Sequence, residues 1–121
     1  LSLKKCYVID LDIDFATTKL ERQFNSRKEL VKVHGPERAK AIMKRMAQLV
    51  AADNMEHLRG APGRCHALRG NYAGMFTLDL DGPYRHFFRP SNDPVPLLED
   101  GSVNWIMVTS VTVIEVGDPH E

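Results

Sequence analysis

Four side chains in the second half of the chain have the chemistry to move protons and hold an anion: His66, Arg69, Arg85 and His120. An imidazole titrates near neutrality, so it can serve as general base or general acid. A guanidinium is permanently charged, and its planar fork of donors matches two phosphate oxygens. Together these groups suit one reaction, the cleavage of RNA. That reaction needs the ribose 2′-hydroxyl deprotonated, the charge of the pentavalent phosphorane stabilised and the leaving 5′-oxygen protonated, and none of these tasks requires a metal. Arg64, Asn71, Tyr84 and Asp118 lie beside the four in sequence.

Each residue alone has a plainer reading. Arg69 and Arg85 read singly as surface salt-bridge partners, His66 as a structural histidine and His120 as a solvated end. Other chemistries fit less well. The histidines are far apart and neither Cys6 nor Cys65 has a CxxC partner, so zinc-site spacing is missing. Cys65 and His66 are neighbours on an expected strand and point to opposite faces, which rules out a nucleophile–base dyad. No phosphate loop, dinucleotide fingerprint or GxSxG occurs. Asp10, Asp12 and Asp14 alternate and would share one face of an extended segment; a metal site is conceivable, but a solvated, edge-protecting row is the better reading.

The elements that position these groups follow from periodicity. Lys4–Ile9 suits a short strand. Thr18-Lys-Leu-Glu21 fits a capping box and predicts a helix that runs on through Leu20, Phe24 and Val31. Gly35-Pro36 ends that helix and starts a second, in which Ala39, Ile42, Met43, Met46, Leu49 and Val50 recur at helical spacing, with Arg38, Lys40, Lys44, Arg45 and Gln48 outside. A connection with a possible helical turn spans 53–63. Arg64–Leu68 reads as a strand, Gly70-Asn71 as punctuation, and Met75–Leu80 as a strand with Phe76, Leu78 and Leu80 on its apolar face. Asp81-Gly82 signals a hairpin returning through Tyr84–Arg89. Residues 90–102, with three prolines, form an excursion; Val103–Val116 is a long β-branched strand, interior or closing, with a break near Thr109-Ser110.

The 121 residues suggest one domain spanning the chain, 1–121. No apolar run approaches a membrane span and no secretory signal is visible, so a cytoplasmic protein with reduced thiols is expected. Sixteen Lys and Arg balance sixteen Asp and Glu. That is unusual for a nucleic-acid binder, although His57–Leu78 holds three arginines and no acid, and a local positive field can exist on a neutral protein.

Three ordered motifs, His66-Ala-Leu-Arg69-Gly-Asn71-Tyr-Ala-Gly74, Leu78-Asp-Leu-Asp-Gly-Pro-Tyr84-Arg85 and Val113-Ile-Glu-Val-Gly-Asp118-Pro-His120, resemble the HigB-like branch of the RelE/ParE toxin superfamily over roughly residues 36–121. The resemblance implies an α+β domain of the RelE-like microbial RNase fold, two antiparallel helices on a mainly antiparallel twisted sheet of four to five strands. It implies a type II toxin acting as a ribosome-dependent mRNA endonuclease without cofactor or metal. His66, Arg69, Arg85 and His120 would then share the cleft, with Arg64, Asn71 and Tyr84 as supporting contacts to RNA and Asp118 orienting His120 or shaping the tail. The implied partners are a helix-turn-helix antitoxin, the ribosome and its mRNA, and operator DNA only through the antitoxin complex, with no membrane. The pattern departs at Pro119, where the family commonly has Tyr between Asp and His. Rival readings are a ParE-like gyrase inhibitor on the same fold and an inactive module that binds only an antitoxin or DNA.

Overall fold

The computed structural model describes residues 11–119. The strand expected at Lys4–Ile9, Cys6, Asp10 and His120 therefore lie outside the described residues. Strand β1 (Asp12–Phe15) keeps the alternation read from the sequence, with Asp12 and Asp14 exposed and Ile13 and Phe15 half-buried. Among the described strands it lies at the edge of the sheet.

Helix α1 (Thr18–Phe24) begins one residue earlier than the expected box. The Thr17 hydroxyl accepts from the Leu20 amide at 3.1 Å. The single long helix expected after it is broken. Ser26 takes extended backbone and its Oγ accepts from the Glu29 amide at 3.2 Å, starting α2 (Arg27–His34). A second good cap within ten residues competes with helix continuation and wins here. Gly35, at φ 85°, closes α2, and Pro36 opens α3 (Pro36–Ala51). The described fold thus has three helices, not two. Ala39, Ile42 and Leu49 are buried and Met43 and Met46 pack partly against the core, but Val50, expected on the same stripe, is exposed. Nor is the polar side of α3 wholly solvated: Arg38, Arg45 and Gln48 all bond to the sheet or its connections.

The remaining strands are β2 (His66–Ala67), β3 (Phe76–Asp79), β4 (Arg85–Pro90) and β5 (Ser110–Gly117). The sheet order is β1-β5-β4-β3-β2, antiparallel throughout except for the parallel β1–β5 pair. This is an α+β fold with a five-stranded, mostly antiparallel sheet. The long C-terminal strand expected from Val103 starts only at Ser110; Trp105–Met107 is a 3-10 turn. A bulge lies between Phe87 and Phe88, which face Glu115 and Val113 and leave Ile114 unpaired. It resets the alternation so that Val113 and Val116 share one side.

The core lies between helices and sheet. Phe76, Leu78, Phe88 and Val111 pack with Leu49, Met55 and Leu58, while Leu30, Ala39 and Ile42 form a second cluster with Leu80 and Val116. Burying each such side chain contributes roughly 1.5–3 kcal/mol. The opposite face of the sheet is not simply wet: Thr77 and Phe87, at its centre, are also buried.

Candidate active site

Register decides which candidates meet. His66 pairs with Thr77, Thr77 with Phe87, and Phe87 with Glu115, so these four side chains form one row across the sheet. Two residues along, Asp79, Arg85 and Gly117 form the next row on the same face. The helices cover the other face, where His86 meets Met46 and Phe24. His66 and Arg85 therefore share the face turned away from the helices.

Asp79 organises this face. Arg64 Nε donates to its Oδ2 at 2.6 Å, and Arg85 Nε lies 3.0 Å from its Oδ1, an ion contact without the angle of a hydrogen bond. Arg85 Nη1 also donates to the carbonyls of Gly82 and Tyr84, each at 2.9 Å. The guanidinium is thus tied to the hairpin that carries it. Arg64 is held differently. It sits at φ 47°, in the left-handed region that disfavours side chains, directly after Gly63 at φ 105°. The turn is clamped from α3: Arg45 Nε donates to the Asp79 carbonyl at 2.7 Å, Gln48 Nε2 donates to the Pro62 carbonyl at 2.8 Å, and the Asp79 amide donates to the Gly63 carbonyl at 2.7 Å. A Cβ on Gly63 would lie 2.9 Å from Arg45 Nε, so the clamp requires glycine.

The strained turn aims the Arg64 carbonyl at His66 Nδ1, 2.8 Å away. A carbonyl can only accept, so Nδ1 carries the hydrogen and Nε2 of the exposed ring is left for a proton in flight. After β2 the chain folds back over the same face. Gly70 and Gly74 take positive φ around the Gly70–Tyr72 turn, and the Tyr72 ring lies 5.8 Å from that of Phe87. This loop carries Arg69 and Asn71, both exposed. Among the described residues the Arg69 guanidinium makes no ion pair or hydrogen bond. Arg89 alternates with Arg85 along β4 and is exposed on the same face.

Not every candidate joins them. Tyr84 is held on the helix side, with the Arg38 guanidinium 3.4 Å above its ring and Arg38 Nε donating to Asp81 at 3.0 Å. Asp118, half-buried, follows Gly117, the residue opposite Arg85. His120 lies outside the described residues. Two groups absent from the sequence-derived set prove central, Asp79 and Arg45. An acid placed opposite Arg85 across a tight hairpin was a signal for the first; for the second, helical phase alone put Arg45 outside.

Charge and burial distinguish the exposed candidates from buried groups of the same types. Hydrogen bonding to Asp79 pushes the Arg64 pKa up, so it stays a cation. Burial pushes the Cys65 thiol up to about 12, against the opposing charge of Arg59, which leaves it a poor nucleophile. Burial lowers His86 to about 4, and its Nε2 lies 3.3 Å from Met46 Sδ, so it is a neutral core group. Among the described residues no three His, Cys, Asp or Glu side chains gather into a metal-binding group. In comparison with known proteins, no family model matches the chain and no curated protein does either.

Proposed function

We propose that this protein is a RelE-like, HigB-type toxin, a ribosome-dependent endoribonuclease that cuts mRNA by 2′-hydroxyl attack. The observation that carries the reading is the shared face: His66, with Nδ1 tied to the Arg64 carbonyl, lies on the same side of the sheet as Arg85, and the loop that bears the exposed Arg69 folds onto that side through Tyr72 and Phe87. In the proposed reaction His66 Nε2 takes the 2′-hydroxyl proton and the 2′-oxygen bonds to phosphorus. Arg69 and Arg85 offset the phosphorane's charge, and the P–O5′ bond breaks with a proton delivered by His120 to the leaving oxygen. Asp79 touches no substrate; it positions Arg85 and Arg64. Such a toxin works in the cytoplasm beside an antitoxin, and no described helix is long and apolar enough to cross a membrane.

One observation favours a second reading, an inactive module. The Arg85 Nη1 bonds to two hairpin carbonyls and its Nε contact with Asp79 are what a structural brace would show. Induction in cells that lack any antitoxin separates the two. The nuclease reading expects growth arrest and transcripts cut within translated frames, leaving 2′,3′-cyclic phosphate ends. Arg69→Ala and His66→Ala, both at exposed positions, should abolish cleavage while circular dichroism stays unchanged. Intact transcripts from the wild-type protein, or cleavage that survives both substitutions, would leave the brace.

A further inference from the structure

All sixteen Lys and Arg residues precede Pro90, whereas Asp93, Glu99, Asp100, Glu115, Asp118 and Glu121 follow it. Residues 91–104 lie in this wholly acidic third and are an ordered hairpin rather than a slack loop. Leu97 bridges Val103, the Leu98 amide donates to the Ser102 carbonyl at 2.7 Å, and the Asn104 amide donates to the Pro96 carbonyl at 2.9 Å. Asp100 Oδ1 accepts from both the amide and the hydroxyl of Ser102, and Asn92 Oδ1 accepts from the amides of Thr109 and Ser110.

The hairpin spends this order without hiding its own apolar side chains. Leu97, Leu98, Ile106 and Met107 are 58, 49, 60 and 58% exposed, four of the six large exposed apolar residues in the described chain. Beside them opens a cavity of about 420 Å³, walled by Phe76, Pro90, Val95, Leu97, Val103 and Trp105. Trp105 is fixed there, edge-on to Phe76 at 5.1 Å with the Arg59 guanidinium 3.9 Å from its ring. Ala67 and Phe76 line the cavity while their neighbours His66 and Thr77 face the other way, so it opens on the side opposite the candidate active site. A preformed apolar pocket, walled in part by a segment that carries exposed aliphatic side chains and the exposed acids Asp93, Glu99 and Asp100, is the arrangement of a docking surface.

We propose that this pocket and its rim bind a basic, amphipathic segment of a partner protein, one apolar side chain seated against Trp105 and its Lys or Arg residues facing Asp93, Glu99 and Asp100. The charge of the 91–104 segment selects the partner's sign: an acidic segment would set like charges together beside Asp93, Glu99 and Asp100, while Arg59, the base at Trp105, is already paired with Glu56 at 2.6 Å. Docking here stands whether or not the opposite face cuts RNA.

Trp105 is the chain's single tryptophan and reports occupancy directly. The probe is a synthetic Trp-free helical peptide with Leu at i, i+3, i+4 and i+7 and Lys elsewhere. Its control keeps the Leu face and replaces every Lys with Glu. The Lys peptide should shift Trp105 emission saturably, with an affinity that falls as salt rises, and should bind at least about tenfold more tightly than the Glu peptide, a difference of about 1.4 kcal/mol. Leu97→Ser, at an exposed position, should weaken it severalfold, and Glu99→Lys should narrow the gap between the peptides; Asp100 is left in place because it holds Ser102. Equal binding of both peptides, or no saturable shift, would overturn the proposal. So would an emission change that follows protein concentration alone with a dimer in sedimentation, which would give the patch to a second copy. So would occupancy by a small apolar dye that neither peptide displaces.

Discussion

Asp79 shows what one carboxylate inside a strand can do. It neutralises one of two guanidiniums while fixing both, so the local field stays positive but the cations stop wandering. Asp79→Asn keeps the shape and removes the charge. It should cost about 1–2 kcal/mol of stability, since a half-buried charge-assisted pair is lost, and should lower cleavage more than tenfold by loosening Arg85. Urea unfolding and single-turnover cleavage measured on the same preparation check this; full activity in a destabilised protein would make Asp79 structural only. His86 sets a different condition. Its folded pKa, about 4, lies below the unfolded value near 6.5, because Met46, Phe24 and Phe88 surround the ring. Between these values the unfolded chain binds the extra proton. The stability from a neutral His86 is therefore complete above about pH 6.5 and is lost as pH falls toward 4, by up to about 3 kcal/mol. His34, lowered by burial and by Arg38, acts in the same sense. Thermal unfolding from pH 7 to pH 4 should show the loss, and His86→Leu should flatten it; an unchanged slope in that variant would show that other groups cause it.

At the level of elements, the Gly63–Arg64 turn joins helix to site. Gly63→Ala places a Cβ where Arg45 lies and strains a φ of 105°, so it should cost about 1–3 kcal/mol and detach Arg45 from the Asp79 carbonyl. His66 would then lose the carbonyl that sets its tautomer, a change visible in the imidazole nitrogen shifts of labelled protein. Unchanged shifts and stability would show that the turn tolerates the methyl. This connection was not legible from periodicity, which reports one face per residue and put Arg45 and Gln48 in solvent. Where a single local rule dominates, the sequence was readable: Gly35-Pro36 separates two helices, Asp81-Gly82 turns the hairpin, and Ile42 and Leu49 face the core. It failed where two local rules compete. Ser26 caps a new helix inside a continuous stripe, and Trp105–Met107 takes a 3-10 turn inside the β-branched run that made residues 103–116 look like one strand. Of the candidate site, the residue types were legible; the shared face of His66 and Arg85, Asp79 between Arg64 and Arg85, and Tyr84 turned toward α3 needed the register and the Arg38 contact.

For the molecule as a whole, zero net charge conceals a division, since every Lys and Arg precedes Pro90. RNA binding on the proposed face would draw on few of those charges. Arg85 and Arg64 share Asp79, which leaves Arg69, Arg89 and the surplus of that trio facing solvent. About three phosphates neutralised on a single strand predict a slope near −2 for log affinity against log salt, since each contributes roughly 0.7. Fluorescence anisotropy of a labelled single-stranded RNA across a salt series gives the slope. Arg69→Ala should reduce it by about 0.7, whereas Lys40→Ala with Lys44→Ala, on the outer side of α3, should leave it unchanged. A slope far steeper than −2 that collapses in the helix variant instead would mean that RNA meets the basic helical side by general attraction, and a face reached in that way does not bring a scissile phosphate to His66.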